Sequence, residues 1–543
     1  MNDEEVKIST EDVKRQLNKI KCKKAPGPDG IKPDLIKALS ESQICTQELA
    51  TCLNNILNEE KVVENWKITN TILIPKNNKP TPKDLRPIPL ANATYKTFTG
   101  ILKTKIEKHL LKTECRNDMQ GSYTEKRRIT DNLYILKHCI EESYKSKQLL
   151  IIISVDFQKA FDSVNRRKMI TTLMNYSIHP KIISAIANIY TEDKTNLLLN
   201  GERQTEISIS SGIKQGCNGS TVLFLLITYA IIQKLQEEDI GFKGSLKIPA
   251  LFYADDGLIF SSSTEEAKKT IQKLTLIADD CGLKLNKEKS NILIFNSEHN
   301  PENIENIKVT ENINYLGVAI TNKKDCLKKH KINSINKANK LANISYSVIG
   351  RSCNRLLIGK AYWKGLALPA ILHASEVKDY NEEELRKLQT IENRVYIAIL
   401  QVPSYTAAGA LRSEIGASSA KARDMKSKIL FAKPTMEENR NDLMKEIFIK
   451  EYECQQSKWM KKLTKYMEQL NLKLYQIQQM KTEKIKQRIQ EWDNIEWKRN
   501  MQEITTLQVY QSFKTSIKEE GWIDNTEESR LMVRARTNTL TLN

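Results

Sequence analysis

The chain has 543 residues and carries 85 Lys and Arg against 66 Asp and Glu, a net charge of +19, which favours a polyanionic partner such as nucleic acid over an anionic membrane. Its ten cysteines form no C-x-x-C pair, which argues against a disulfide scaffold or a zinc ribbon and for reduced thiols inside a cell. The longest apolar run, Val222 to Ile232, is too short for a spanning helix, and the acidic start MNDEEV is unlike a signal peptide.

In chain order, Ser9 is a candidate N-cap with Asp12 three residues on, and Val13, Leu17 and Ile20 share one helical face. The helix stops at KCKKAPGPDGI, Lys21 to Ile31, which reads as an ordered basic loop or a plain linker. A second basic loop, Ile74 to Leu90, carries Lys76, Lys79, Lys83 and Arg86 among stiffening prolines. A helix with Tyr95, Phe98, Leu102, Ile106 and Leu110 inward follows. LLIIISV, Leu149 to Val155, has the pattern of a strand buried on both faces at a sheet centre and ends at Asp156. FQKAFDSVNRRKM then begins a helix, with Asp162 as its N-cap. Leu197 to Ser210 reads as a hairpin turning at Asn200-Gly201 and leads into SGIKQGCNGS. Thr264 to Cys281 is amphipathic, with Ala267, Ile271, Leu274 and Ile277 inward and Ser263 with Glu266 as a capping box. The strands LKL and NILIF come next, and after Ile320 the pattern is helical. Trp459, Tyr466, Tyr475, Trp492 and Trp497 lie in that basic helical region, either as a stacking clamp for nucleic acid or, the stronger reading, inside an ordinary bundle.

Chemistry concentrates at LFYADDGLIF, Leu251 to Phe260. Asp-Gly is the commonest signal of a type I′ hairpin turn, so the pair reads as a turn alone or as two carboxylates awaiting a third. Asp156 is the best partner, 99 residues upstream of Asp255. Three adjacent carboxylates stay ionised only if cations neutralise them. Two magnesium ions about 3.5 to 4 Å apart would do so and would support phosphodiester formation.

ISVDFQKAFDSV and FYADDGLIF together resemble the two catalytic motifs of a reverse transcriptase. APGPDGI and LRPIPLANATYKTFTGIL resemble the amino-terminal extension and finger segments of LINE-type, non-LTR retrotransposon enzymes, and QGSYTEKRRITDNL, IKQGCNGSTVLF, GLKLNKEKSNIL and NYLGV follow in that family's order. The resemblance implies an α+β right-hand polymerase with fingers, a palm with an antiparallel sheet, a thumb and a helical carboxy-terminal region. Its divisions would be 1–65, an extension with the APGPDGI loop; 66–325, fingers and palm; 326–440, thumb and connecting helices; and 441–543, a basic helical region.

The resemblance further implies that Asp156, Asp255 and Asp256 are the catalytic metal ligands, Asp255 ahead of Asp256, for two Mg2+ with Mn2+ as an alternative and no zinc. Lys76 and Arg86 would hold the triphosphate, where a guanidinium grips phosphate bidentately. Phe161 would lie under the sugar and exclude a 2′-hydroxyl, or else be a core side chain. Gln215 and Gly216 would face the nascent base pair, in a loop whose stiffness is open because Lys214, Asn218 and Thr221 stand where relatives more often have prolines. Lys289 would act as a general acid toward pyrophosphate, against the plainer reading of a surface lysine. Tyr315, Leu316 and Gly317 would form a primer grip, and Lys23, Lys24, Lys126 and Arg127 would line the template path. The partners are then an RNA template, a DNA primer or target and deoxynucleoside triphosphates, with no membrane, an open oligomeric state and a nuclear location. The expected activity is RNA-directed DNA polymerisation in target-primed reverse transcription. The alternatives are an RNA-directed RNA polymerase, which Ala254 and Phe161 disfavour, and a catalytically dead nucleic-acid-binding descendant.

Overall fold

A computed structural model describes the chain except Lys76, Lys79, Pro80, 82–84, Asn200, Cys353, 438–439, Trp522 and 541–543. It divides into two compact units, residues 1–128 with 142–311, and 129–141 with 312–543.

The first unit is built on a six-stranded sheet whose interior strand is Leu150–Val155. Ile151, Ile152 and Ile153 are buried, each contributing roughly 1.5 to 3 kcal/mol by leaving water. Asn291–Phe295 and Asp256–Ser261 flank this strand, both antiparallel, so that Ile152 stands opposite Phe260 on one side and Leu293 on the other. The expected central strand is thus present. Helix Thr264–Asp280 buries Ala267, Ile271 and Leu274 and lies against the sheet. Its Ser263 caps the Glu266 N–H, but the Glu266 carboxylate accepts instead from the Ser262 N–H and, at 3.2 Å, from Gly241 N–H, so the expected capping box is half formed. At Ser9 and Asp12 the reciprocal box is complete.

A second sheet orders Leu85–Leu90, Ile68–Pro75, Lys194–Leu199 and Glu202–Ser208. The proline-rich segment from Ile74 is therefore the end of a strand pair, with Ile74 opposite Arg86, rather than a loop throughout. Lys76, Lys79 and Lys83 lie outside the described residues. The APGPDGI loop is seated on the helix start at Asn92, whose side-chain oxygen accepts from Asp29 N–H at 3.3 Å. A Cβ at Gly27 would stand 2.3 Å from that side chain, so the close seating requires glycine.

The helix expected from Phe157 starts later. Phe157–Gln158 is a short strand paired with Lys284–Leu285, Lys159 is left-handed at φ 45°, and Ala160–Ser163 is one turn of helix containing Asp162. The next helix, Arg166–Asn175, is capped by Asn165. Asp162 is therefore not an N-cap. Strand pairing with Lys284–Leu285 competes successfully with local helix propensity here.

In the loop after Ile209, Lys214 replaces proline stiffness with an ion pair. Its ammonium is 3.0 Å from Asp193, donates to the carbonyls of Trp66 and Lys67 and faces the Tyr95 ring. Arg166 grips the other Asp193 oxygen at 2.6 Å. Both Lys214 and Asp193 are buried.

The second unit opens with the hairpin Asn312–Tyr315 and Val318–Thr321 and is otherwise helical. Helices Lys328–Gly350 and Glu382–Leu400 meet along Ala338, Ala342, Ile349, Ile391, Val395 and Ile399. Trp459 and Tyr466 are fully buried and Trp497 nearly so, while Tyr475 is exposed. Trp459 packs edge-on against Tyr134, Phe431 and Phe448. Those aromatics belong to the bundle interior, the stronger of the two readings of the sequence, and little is left for a stacking clamp. No described helix is long and apolar enough to cross a membrane.

Removing one partner of a buried ion pair leaves the other charge uncompensated, at a cost of about 3 to 5 kcal/mol. Lys214→Met, which keeps the stem but not the ammonium, is expected to lose that much stability in urea denaturation.

Candidate active site

The sheet brings the aspartates together by register. Gly257 pairs with Val155, so the next step of the same ladder sets Asp256 opposite Asp156. The turn itself differs from the Asp-Gly turn expected from sequence. Asp256 pairs with Tyr253, which leaves Ala254 and Asp255 as the two central residues and puts Asp256 and Gly257 in the strand. Ala254 is left-handed, at φ 58°. That conformation costs a non-glycine residue roughly 1 to 2 kcal/mol.

Asp156 and Asp255 are half-buried and Asp256 is exposed. The Asp256 carboxyl is nonetheless held above the usual carboxylate range, first by desolvation from its neighbours and then by the charges of Asp255 and Asp156. Asp256 therefore feels the other two. Among the described residues no three His, Cys, Asp or Glu side chains form a ready-made metal cluster. The donor set is nevertheless all carboxylate oxygen, the kind hard divalent cations take, and the mutual repulsion at Asp256 is what such a cation would relieve. Asp156 is fixed through its backbone: its N–H donates to Ser290 Oγ at 3.2 Å and its carbonyl accepts from Asn286 N–H at 2.8 Å. Lys289, in the same turn, is exposed.

Phe161 stacks on Phe224 with centroids 4.4 Å apart and meets the edge of Tyr123 at 6.4 Å. Burial and then the Asp255 charge raise the Tyr123 phenol above its ordinary range. Gln215 donates to Asp162 Oδ1 at 2.6 Å, so Asp162 anchors the loop residue expected to face the base pair. Gly212 makes this approach possible: it is left-handed at φ 83°, and a Cβ there would stand 2.4 Å from the Asp162 carbonyl. Gly216 is exposed beside Gln215, and Arg86 is exposed on its strand. A cavity of about 430 Å³ lies here, with Pro87, Pro89, Asp162 and Gln215 in its wall.

A larger groove of about 720 Å³ runs from Lys19, Lys21 and Lys24 past Lys96 and Lys103 to Tyr123, Gly216 and Tyr253. It joins the basic amino-terminal loop to the neighbourhood of the aspartates. Lys23 and Lys126 are exposed. Arg127, grouped with them from the sequence, is buried, and its guanidinium is committed to the carbonyls of Asn117 and Gln120, at 2.7 and 3.0 Å, and to Asp118. It braces its own loop, because five donors in a fixed fork suit three nearby backbone and carboxylate oxygens better than water does.

In the second unit, Leu316 and Gly317 form a tight turn at φ 51° and 77°, the two positive values of a type I′ hairpin. Tyr315 points inward and accepts from Asn132 Nδ2 at 3.1 Å, while His373 Nε2 lies 3.0 Å from the Leu316 carbonyl.

Four features were not singled out from the sequence: Gln120, the Asn286–Ser290 turn, the Asp162–Gln215 bond and the Phe224 platform. Each lies within the motifs quoted above, which was the signal available, but no local periodicity marks its partner in the fold.

Residues 74–320 match the family of reverse transcriptases (RNA-dependent DNA polymerases). Similar proteins include the Pol polyprotein from the type-2 retrotransposable element R2DM of Drosophila melanogaster, 25% identical over 56% of this chain and 30% of its own length. The corresponding R2 polyprotein of Nasonia vitripennis is 26% identical over 50% and 26%, and the RNA-directed DNA polymerase from the mobile element jockey of D. melanogaster is 21% identical over 73% and 44%. The chain thus spans less than a third of the length of the two R2 proteins. A solved telomerase structure from Candida tropicalis, apo and truncated from its C-terminal domain, has a TM-score of 0.36 at 14% identity over 53% of this chain and 59% of that one. Residues 74–320 are a reverse transcriptase domain of the right-hand polymerase fold. The relatives named here are retrotransposon proteins, in keeping with the LINE-type resemblance of the motifs. Members of this family generally use divalent metal ions and act on an RNA template and a DNA primer.

Releasing Gln215 from its anchor tests the loop. Asp162→Ala is expected to raise the deoxynucleotide KM about tenfold, equivalent to ~1.4 kcal/mol, with a smaller effect on kcat in steady-state primer extension.

Proposed function

We propose that the chain is the RNA-directed DNA polymerase of a non-LTR retrotransposon, which extends a DNA 3′ end by copying an RNA template in target-primed reverse transcription in the nucleus. The observation that carries this reading is the convergence of Asp156, Asp255 and Asp256 at one end of adjacent strands, inside a reverse transcriptase domain. Asp156 and Asp255 would hold two Mg2+, with Asp256 beside them. Bound there, the ions would lower the pKa of the primer hydroxyl and neutralise charge on the leaving pyrophosphate.

The chain's own groups select and orient the substrates. The Phe161 ring, backed by Phe224, lies under the incoming sugar and leaves no room for a 2′-hydroxyl. Gln215 and Gly216 face the nascent pair, Arg86 and Lys76 take the triphosphate, and Lys289 supplies a proton to pyrophosphate. Lys23, Lys24 and Lys126, with the lysine-lined groove, guide the template. Leu316 and Gly317 present the primer-grip turn, with Tyr315 as its inward anchor. We assign Arg127 to holding its loop rather than to template. The extension is 1–65, fingers and palm 66–325, thumb and connecting helices 326–440, and a basic helical region 441–543.

Primer extension on an RNA template with Mg2+ should proceed with deoxynucleotides. Asp255→Ala should reduce it by on the order of 10³-fold, as loss of a principal charge-stabilising group does. Full activity in Asp255→Ala, or none in the parent, would overturn the assignment. Phe161→Ala should incorporate ribonucleotides more readily than the parent does; an unchanged ratio removes the sugar gate. Duplex DNA binding should fall with salt, each neutralised phosphate adding about 0.9 to the log–log slope.

A further inference from the structure

Gln120 supplies no carboxylate, yet it touches the residue on which the site turns. It is fully buried. Its Nε2 donates to the Ala254 carbonyl at 3.2 Å and to Thr228 Oγ1 at 2.9 Å. Its Oε1 accepts from the N–H of Ala254 at 3.1 Å and from Ser122 N–H and Oγ at 3.0 and 2.9 Å. One carboxamide therefore grips both peptide groups of Ala254, the left-handed residue immediately before Asp255. Both its donors and both lone pairs are engaged within the protein, so it has nothing to offer a substrate and acts through the turn.

The segment around it is fastened independently. Phe252 N–H donates to the Met119 carbonyl and Gly121 N–H to the Phe252 carbonyl, at 2.6 and 2.8 Å, which adds a short parallel rung to the edge strand. Arg127 holds the Gln120 carbonyl from the other side. The clamp is thus tied to the sheet, to helix Ser220–Glu237 through Thr228, and to its own loop.

We propose that Gln120 is a positioning residue: its carboxamide locks Ala254 in the left-handed conformation and so fixes where the Asp255 and Asp256 carboxylates stand to receive a divalent cation. This rests on the reading of those aspartates as metal ligands. Groups that orient a ligand without touching the ion commonly govern metal affinity and activity by 10- to 100-fold.

The test uses the full chain and Mn2+ as the probe, with free Mn2+ followed by electron paramagnetic resonance and primer extension run in parallel. Gln120→Met keeps the side chain's volume and removes every hydrogen bond. Folded Gln120→Met, checked by circular dichroism, is expected to bind Mn2+ about 10-fold more weakly and to lose about 10-fold or more in kcat, with the deoxynucleotide KM held within about twofold. Thr228→Val, which loosens the carboxamide without touching the turn, should shift both readouts in the same direction by less, and it decides the matter if Gln120→Met does not fold. Parent-like Mn2+ affinity in a folded Gln120→Met, or in Thr228→Val where that variant decides, overturns the proposal. So does a loss confined to nucleotide KM. Asp255→Ala separates the two readings: if it binds Mn2+ as the parent does, it is the assignment of the carboxylates that fails, not the clamp.

Discussion

Like charges do not assemble by themselves. Asp256 is pushed toward its neutral form first by desolvation and then by Asp255 and Asp156, and in the unfolded chain, where Asp156 is far from the other two, its share of that penalty vanishes. Something must hold the three together against their repulsion, and in this protein it is the backbone. The ladder from Gly257–Val155 to Ser261–Ile151 fixes the register, and a one-residue slip would turn every side chain of the strand to the opposite face. The apolar pairs along that ladder, Ile259 and Phe260 against Ile153 and Ile152, make the register the stable one by burying their side chains on the two faces of the sheet. The site is therefore held by a hydrophobic constraint rather than by contacts among its own polar groups.

Around that sheet, buried polar groups do the local fixing. Gln120 holds the turn, Ser290 and Asn286 hold the Asp156 backbone, and Lys214 with Arg166 and Asp193 holds the loop that carries Gln215. These bonds lie in low dielectric, where a satisfied group is rigid and a half-satisfied one is costly. The lysine at position 214 illustrates the substitution of one physical device for another. A proline would restrict φ, whereas Lys214 restrains the loop by tying it to Asp193 and to two carbonyls.

Much of the frame was legible in the residues. LIIISV announces an interior strand because it offers no polar face, Ser9 with Asp12 announces a helix start, and the inward face of Thr264–Asp280 follows from its period. The site was legible in part: an adjacent pair of aspartates between apolar runs, and a third at the end of a buried strand, suffice to suggest convergence. Readings that depended on which of two local conformations prevailed went differently. Phe157 and Gln158 entered a strand, the turn moved back from Asp-Gly to Ala254-Asp255, and Arg127 folded inward. For the strand and the turn a partner distant in sequence supplied the hydrogen bonds, and for Arg127 the oxygens of its own folded loop did, which local preference could not anticipate.

The sequence by itself determined the class of chemistry, because a collinear order of motifs and the number and spacing of carboxylates are properties of the chain. It also determined which strands are interior, since hydrophobic patterning is written residue by residue. Only the tertiary structure decided which uncharged groups serve the site. Gln120, Asn286, Ser290 and Phe224 stand out by neither composition nor spacing, and they matter because folding carries them across long stretches of chain to the backbone of Ala254 and Asp156 and to the ring of Phe161. A long-range hydrogen bond leaves no periodic trace in the chain, so its existence is settled only when the sheet closes.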